Sequence, residues 1–218
     1  MNKNIKSVLI PLLVCIVSIV IGLTAKNTFV GMIVLITGIL NSYYGSIGNK
    51  INFPIGVINN LSLAYVAYMN HNYGLVIFNL VFFMPINIKG YFEWGKYDNE
   101  FEVENRGLGL KKGFFTIVLS IVSGLVIAYL LHLIPGERLT FLDAFTNVIS
   151  FIAGILLMLR YNESWILYLV NNVLDLSIWI INFKEGGFDS LMVLLMSVMY
   201  LTINVYALFK WRGNDEKL

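Results

Sequence analysis

The chain has 218 residues, of which 58% are hydrophobic and only 13% are charged, and its formal net charge is +2. Its mean hydropathy is +0.76. Because soluble domains carry about 25% charged residues, this composition excludes a soluble protein and indicates an integral membrane protein. The small net charge gives no reason to expect a nucleic acid partner. The sequence also has no G-x-x-x-x-G-K-S/T motif, so the chain carries no phosphate-binding loop of its own for ATP hydrolysis.

Eight apolar segments follow one another along the chain, each close to the length of a helix that crosses a bilayer. They are about 8–25, 29–48, 54–70, 73–93, 114–132, 141–159, 164–183 and 187–209. The first segment, with Lys3 and Lys6 before it, resembles a signal peptide, but its apolar stretch of about 17 residues is longer than a usual signal core. We predict that it is retained as a helix, with removal of Met1–Ala25 as the alternative.

Basic residues indicate the orientation, because Lys and Arg collect in cytoplasmic loops. With eight spans, all but three of the 15 Lys and Arg residues lie on the side that holds both termini; the exceptions are Lys26, Arg138 and Lys184. We predict a multi-pass protein of the cell's inner (plasma) membrane with cytoplasmic N- and C-termini. The one long connection, about 91–113, has an acidic run followed by basic residues and too few apolar residues for a core, which indicates a solvated cytoplasmic linker.

The seventh segment carries polar residues at a depth where they are costly. Asn171, Asn172 and Asp175 lie near its middle, and the helical face that holds Asn172 and Asp175 also holds Tyr168 and Trp179. Polar groups at this depth normally face a bundle interior or a water-filled cavity. Flat aromatic rings beside amides and an acid suit a planar, hydrogen-bonding solute, including a cationic one. We predict that this face forms half of a substrate site in a membrane transporter.

Two parts of the chain resemble each other. An Asn-Asn pair at residues 59–60 recurs 112 residues later at residues 171–172, and each pair is followed by an aromatic-rich stretch, a short polar turn with glycine and another helix. Segments 2–4 and 6–8 are therefore predicted to be two copies of a three-helix unit. Since segment 5 crosses the membrane once between them, the copies have the same orientation, which is a parallel repeat.

In transporters built from such repeats, the substrate site lies near the bilayer midplane where the two units meet. The closing helix of each unit adds an asparagine seven residues before a tryptophan. These tryptophans, Trp94 and Trp211, lie beside basic residues and are interpreted as anchors at the membrane surface. The residues predicted to face one cavity are Asn59, Asn60, Asn87, Tyr168, Asn171, Asn172, Asp175 and Asn204.

Three motifs, in this order, resemble those of a known family. Residues 82–94, FFMPINIKGYFEW, resemble the F-(Y/F)-x-P-(M/I)-(Q/N)-x-x-G-(W/Y)-x-x-W stretch of the PnuC vitamin transporters. Residues 142–150, LDAFTNVIS, resemble the start of the second repeat of that family, and Glu163-Ser164-Trp165 with Asn171 resembles its tryptophan-bearing helix. The resemblance adds Trp165 to the substrate-binding candidates; without it, Trp165 reads equally well as an interfacial residue.

The resemblance implies a 3+1+3 helix arrangement like that of the SWEET sugar transporters, usually assembled as a homotrimer, with one extra N-terminal helix here. It also implies facilitated diffusion of nicotinamide riboside or a related vitamin, which a cytoplasmic kinase phosphorylates so that it cannot leave. The predicted partners are therefore a small-molecule solute, the membrane, further copies of the chain and, functionally, that kinase. The corresponding parts of the chain are an extra transmembrane helix (1–28), the first repeat (29–94), a cytoplasmic linker with a connecting transmembrane helix (95–140), the second repeat (141–211) and a cytoplasmic tail (212–218).

The chain departs from the family pattern at three positions. Tyr168 replaces the second tryptophan of the usual Trp-x-x-Trp, and Gly154 and Asn87 replace common glutamines. Relatives in this family are also assigned to thiamine, riboflavin and deoxynucleosides. A transporter of thiamine or deoxynucleosides in the same fold is therefore the alternative, and a SWEET-like sugar transporter remains open because sugars also stack on tryptophan.

Two other classes are a membrane enzyme and a non-transporting assembly subunit. An enzyme needs a nucleophile, metal ligands or several ionisable groups that converge at one depth. Here only Asp175 lies well inside a span, and the two histidines are far apart in the sequence. We therefore predict no catalytic residue, no metal site and no cofactor, and the polar repeat argues against an assembly subunit.

Overall fold

The chain folds into helices throughout its described part. The computed structural model describes residues 3–25, 27–96 and 106–215, so the acidic part of the predicted linker lies outside it. These ranges contain eight helices and no β-strand, which confirms the predicted all-α fold. The helices are α1 (Lys3–Thr24), α2 (Phe29–Ser46), α3 (Asn52–Met69), α4 (Tyr73–Gly95), α5 (Gly109–His132), α6 (Thr140–Met158), α7 (Glu163–Lys184) and α8 (Ser190–Asp215).

Each of the eight predicted segments corresponds to one of these helices. Within the described ranges, α2 and α4 to α8 are long and apolar enough to cross a membrane. Helix α3 has 18 residues and falls outside this group because its three asparagines, its serine and its tyrosines lower the hydropathy. The chain is therefore a multi-pass membrane protein.

Six helices form a closed ring. Each packs on the next in the order α2, α3, α4, α6, α7 and α8, and α8 packs back on α2. Helix α1 packs on α2, and α5 packs on α6. Many side chains of α5 are exposed apolar residues, as expected of a helix whose outer face contacts lipid.

Two buried aspartates hold the ring together where the even-numbered helices begin. Asp189, just before α8, accepts a hydrogen bond from the backbone N–H of Thr28 at 2.9 Å. Asp143, in the first turn of α6, accepts one from the N–H of Leu75 at the start of α4, at 3.2 Å. The first N–H groups of a helix have no partner within the helix and carry its positive dipole end, so a carboxylate from a neighbouring helix stabilises them.

Two tryptophan side chains join neighbouring helices at the opposite end of the ring, where the even-numbered helices end. Trp94 Nε1 donates to the carbonyl of Met158, the last residue of α6, at 3.1 Å. Trp211 Nε1 donates to the carbonyl of Ser46, the last residue of α2, at 3.0 Å. Both tryptophans are 3% exposed, so the prediction that they are anchors at the membrane surface is wrong. They satisfy terminal carbonyls that the helices leave unpaired.

Helix α4 changes its winding part-way along. Residues Phe78–Phe83 form a π-helical turn, which ends two residues before Pro85, a residue that cannot donate a helix hydrogen bond. In a regular helix, residues eight apart differ by about 80° around the axis. The wider turn takes up about one extra residue and brings Asn79 and Asn87 to the same wall of the central cavity.

Gly90 allows the close contact between α3 and α4. A Cβ atom on this residue would lie 2.2 Å from the ring of Phe53. That ring is buried and packs edge-on against Trp94, with ring centroids 5.0 Å apart, so it has no room to move. We expect Gly90→Ala to lower the free energy of unfolding by about 1–3 kcal/mol, the usual cost of overpacking, seen as a lower melting temperature in detergent.

Gly95→Ala is the matched control. Nothing lies within 4 Å of a Cβ atom built on Gly95. Both substitutions raise helix propensity, by about 1 kcal/mol in a helix interior and by less at Gly95, the last residue of α4. The control should melt at or slightly above the wild-type temperature. Equal melting temperatures for the two variants would contradict the role given to Gly90.

Candidate functional site

A cavity of about 180 Å³ lies at the centre of the ring. All six ring helices contribute to its wall, whereas no described residue of α1 or α5 does. Ten asparagines line it: Asn41, Asn52, Asn59, Asn60, Asn79, Asn87, Asn147, Asn171, Asn172 and Asn204. Polar side chains in membrane-spanning helices are costly unless they face a cavity or one another, and this wall is where the chain concentrates them.

The structure brings together all nine residues singled out from the sequence. Helix α3 supplies Asn59 and Asn60, α4 supplies Asn87, α7 supplies Trp165, Tyr168, Asn171, Asn172 and Asp175, and α8 supplies Asn204. Every one of them lines the central cavity. Their contact with a solute stays a prediction.

The two members of the first asparagine pair have different surroundings. Asn59 Nδ2 donates to a backbone carbonyl and a threonine hydroxyl of α2, at 3.0 and 3.1 Å, so Asn59 joins α3 to α2. The side-chain nitrogen of Asn60 is buried and has no hydrogen-bond partner among the described residues. In the second pair, Asn172 Nδ2 and Asn171 Oδ1 are buried in the same unpaired way. Leaving such groups unpaired costs about 1–3 kcal/mol each, so they favour a polar solute or water in the cavity.

Trp165 forms part of the cavity wall at the end where the even-numbered helices end. It is 2% exposed, which rules out the interfacial reading. Its ring packs against Tyr168 and Trp211, with centroids 5.8 and 5.6 Å apart. Together with Phe53, Trp94 and other buried apolar residues it closes that end of the bundle.

Tyr168 and Gly154, two of the positions that depart from the family pattern, lie next to each other. A Cβ atom on Gly154 would lie 3.5 Å from the Tyr168 hydroxyl oxygen and 3.8 Å from Ile86. The tyrosine hydroxyl therefore points toward the space that a longer side chain at position 154 would enter. Both departures put a smaller residue at the cavity wall, tyrosine in place of tryptophan and glycine in place of glutamine.

Asp175 is the carboxylate deepest in the cavity wall. It accepts a hydrogen bond from Ser197 Oγ of α8 at 2.5 Å and one from Trp179 Nε1 at 3.2 Å. Both donors are neutral. No Lys, Arg or His occurs among the described residues that line the cavity, and the other acid there is Asp143.

Asp143 forms a carboxyl pair with Glu137 of the α5–α6 loop, because the two side chains share a hydrogen bond. Glu137 also accepts from the N–H groups of Tyr73 and Gly74, at 2.7 and 3.3 Å. Together with the bond from Leu75 to Asp143, three successive N–H groups at the start of α4 meet this pair. Burial raises the pKa of Glu137, and its hydrogen bonds offset only part of that rise.

Several lining residues were missed by the sequence analysis. Tyr200 lies four residues before Asn204, so the helical period places it on a face that the sequence had already marked as polar. Asn147 lies four residues after Asp143, and this spacing of two polar residues on one face of α6 was the signal that could have revealed both. Asn79 has no such signal, because the π turn that brings it to the cavity has no sequence signature.

The chain resembles known proteins over most of its length. A profile of the nicotinamide mononucleotide transporter family matches residues 28–213. The chain belongs to this family. The nicotinamide riboside transporter PnuC of Neisseria mucosa is 33% identical over 193 residues, which cover 85% of this chain and 72% of that protein. PnuC of Haemophilus influenzae is 29% identical over 189 residues, which cover 85% of this chain and 80% of that protein.

A solved structure agrees with these matches. The crystal structure of the vitamin B3 transporter PnuC superposes with a TM-score of 0.85 at 28% sequence identity, over 100% of this chain and 94% of that one. The resemblance to the PnuC family inferred from three motifs is therefore confirmed. The chain is a member of a family of membrane transporters.

The raised pKa of Glu137 gives a prediction about stability and pH. The folded protein binds this proton more tightly than the unfolded chain, so the stabilisation is complete below the ordinary carboxyl pKa and is lost as the pH rises through the raised value. Glu137→Gln keeps an acceptor for the two N–H groups but does not titrate. We expect the melting temperature of the wild type to fall relative to that of Glu137→Gln as the pH rises from about 4.5, near the ordinary value.

Glu185→Gln is the control for this prediction. Glu185 forms an exposed ion pair with Arg138 close to the same loop, and its removal should leave the pH profile of the wild type unchanged. If the melting temperatures of the wild type and of Glu137→Gln changed with pH in parallel, the pKa of Glu137 would be the same in the folded and the unfolded chain, and the prediction would be wrong.

Proposed function

We propose that this protein imports nicotinamide riboside, or a closely related vitamin or nucleoside, by facilitated diffusion, and that a cytoplasmic kinase traps the solute. The observation that carries the proposal is a central cavity, lined by amides and aromatic rings, inside the helix ring of a chain of the PnuC family. The relatives from Neisseria mucosa and Haemophilus influenzae are named nicotinamide riboside transporters.

The cavity wall suggests a role for each kind of residue. Trp165 and Tyr168 offer aromatic surfaces on which a planar ring stacks. Asn60 and Asn172 offer unpaired amide N–H groups for a carbonyl or hydroxyl oxygen of the solute, and Asn171 offers an unpaired oxygen. Asn87 and Asn204 complete the set from the closing helices, and Asn59 positions the first pair through its bonds to α2.

The charge of the cavity favours a nucleoside over its phosphate ester. A phosphate carries nearly two negative charges and is normally held by Arg, Lys or a helix N-terminus. The described wall contains two carboxylates and no basic side chain. Phosphorylation by a kinase would therefore exclude the product from the cavity, which accounts for trapping without any coupling to an ion gradient.

We further propose the 3+1+3 arrangement plus an N-terminal helix, with both termini in the cytoplasm, and assembly as a homotrimer. The repeat is supported by the two indole bonds, because their acceptors Ser46 and Met158 are separated by the same 112 residues as the asparagine pairs. In this arrangement the two triplets meet along the α2–α8 and α4–α6 contacts, and rocking about these contacts would expose the cavity to each side in turn.

A thiamine or deoxynucleoside transporter is the second candidate. It is favoured by the altered wall at Tyr168, Gly154 and Asn87. A thermal-shift panel with nicotinamide riboside, thiamine, riboflavin, thymidine and glucose separates the candidates, because a solute at about 100 Kd adds roughly 2.7 kcal/mol to the stability of the folded state. A shift with glucose alone would indicate a SWEET-like sugar transporter instead.

We expect Asn172→Ala and Trp165→Ala each to weaken binding of nicotinamide riboside about tenfold or more, which corresponds to about 1.4 kcal/mol. The first removes an unpaired donor and the second a stacking surface. Binding to the purified protein is measured by calorimetry.

Neighbours on the same helix serve as controls. Val173 is 60% exposed and Ile166 is 36% exposed, and neither lines the cavity. Val173→Ala and Ile166→Ala should bind like the wild type. Wild-type affinity in both Asn172→Ala and Trp165→Ala would remove this site.

Uptake into proteoliposomes tests the transport mode. Without a gradient, the internal concentration of nicotinamide riboside should rise to the external concentration and no further, and a protonophore should have no effect. With a riboside kinase and ATP inside the vesicles, phosphorylated product should accumulate above the external concentration. Accumulation of the unmodified solute, driven by a proton gradient, would contradict facilitated diffusion.

A further inference from the structure

Asp175 has a structural environment that its hydrogen bonds alone do not explain. It lies near the middle of α7, and its side chain is half-buried because it faces the central cavity. Ser197 and Trp179 donate to its two oxygens. A neutral asparagine would satisfy one such donor and fill the same volume without placing an acid in the membrane, where carboxylates cost about 2.5–3.5 kcal/mol on insertion scales.

No positive group of the described chain faces this carboxylate. The elements around the cavity present amides, hydroxyls and aromatic rings, and the second acid, Asp143, already meets the N-terminus of α4 and Glu137. A carboxylate without a cationic partner in a low-dielectric interior is strongly disfavoured. A cationic solute in the cavity would supply the positive charge that the described wall lacks.

Two aromatic residues interact with the same carboxylate, and a third lines the same cavity. Trp179 donates to Asp175 from one turn further along α7, and Tyr200 of α8 interacts electrostatically with both Asp175 and Tyr168. All three rings line the cavity. Aromatic faces combined with one carboxylate are the chemistry that recognises organic cations, whereas a metal cation such as Ca²⁺ needs six or more oxygen ligands.

We propose that Asp175, with Trp179, Tyr168 and Tyr200, forms a subsite that selects planar organic cations over neutral solutes of the same shape. This deepens the proposed function, on which it rests, because the pyridinium ring of nicotinamide riboside is such a cation. The bound cation and Asp175 form a neutral pair, so the loaded cavity carries no uncompensated charge at this depth. The deoxynucleosides, which are neutral, lack the charge that this subsite recognises.

Two ligands that differ mainly in their charge test whether the subsite recognises a cation. Nicotinamide riboside and its reduced dihydro form share the ribose and the carboxamide, but only the oxidised form is a cation. We expect the wild type to bind the cation at least tenfold more tightly than the neutral form. In Asp175→Asn, which keeps the shape of the side chain, affinity for the cation should fall at least tenfold while affinity for the neutral form is unchanged.

Ser177→Ala is the control variant, because Ser177 is an exposed residue of α7 whose hydroxyl bonds only to its own helix in the described structure. It should keep the wild-type preference for the cation. The wild-type comparison of the two ligands needs no variant, so it remains decisive if Asp175→Asn folds poorly.

The outcomes separate this proposal from the proposed function. If the wild type binds both ligands equally, or if Asp175→Asn weakens both alike, the cation subsite is overturned while riboside transport stands. If neither form binds, the proposed solute is wrong, and the same comparison is made with thiamine, a cation, against neutral thymidine. A preference for thiamine that Asp175→Asn removes then supports the subsite, and its absence overturns it.

Discussion

The structure depends on one constraint, which is that an amide in a membrane interior must meet a partner or water. Asparagines that find partners in the protein hold helices together: Asn41 donates to the carbonyl of Asn52 at 2.7 Å, and Asn70 donates to that of Phe188 at 2.8 Å. Of the asparagines with unpaired amide groups, Asn60, Asn171 and Asn172 line the cavity, whereas Asn72 and Asn182 are buried outside it. The same residue type thus connects the helices of the ring and prepares its centre for a polar solute.

The two ends of the ring are closed by different chemistry. Where the even-numbered helices begin, carboxylates of Asp143 and Asp189 accept backbone N–H bonds across the helix contacts. Gly74 makes the first of these contacts possible, since a Cβ atom there would lie 2.4 Å from Asp143. Where the helices end, Trp94 and Trp211 close the bundle with buried apolar surface.

This difference affects how each end opens. Water replaces a hydrogen bond at a net cost of about 0.5–1.5 kcal/mol, so opening of the carboxylate end would need only an exchange of hydrogen-bond partners. The indole end must expose apolar rings as well, at about 25 cal/mol for each Å². If the proposed rocking of the two triplets opens the cavity to each side in turn, it requires two dissimilar steps, one mainly polar and one mainly apolar.

The sequence correctly predicted the structural features that depend on local periodicity. Eight helices follow from eight apolar runs, and the spacing of Asn171, Asn172 and Asp175 placed them on a face that does line the cavity. Trp94 and Trp211 were misread because a tryptophan beside lysine at a helix end has the same local sequence whether it meets lipid headgroups or a neighbouring carbonyl. Only the tertiary contact with Met158 or Ser46 distinguishes the two cases.

The pairing of Glu137 with Asp143 could not be predicted from the sequence, because it also depends on a tertiary contact. It joins a loop residue to a helix residue across the start of a third helix, and no period in the sequence links the three. No residue propensity predicts the π turn of α4 either. This turn changes the angle around the helix axis at which every residue after Phe83 lies, relative to the residues before Phe78. Long-range contacts and irregular winding, rather than composition, account for the lining residues that were missed.

The departures from the family pattern fall on one patch of the cavity wall. Gly154 lies beside the Tyr168 hydroxyl and beside Ile86, the residue that precedes Asn87. Gly154 lacks the side-chain amide of the common glutamine, Asn87 carries its amide on a shorter side chain, and Tyr168 replaces an indole by a phenol. The unpaired amides of Asn60 and Asn172 and the carboxylate of Asp175 lie in the wall of the same cavity. Any change of specificity relative to the PnuC relatives should therefore appear in the outline of the ring system that is accepted and in the hydrogen bonds that the solute makes at this patch.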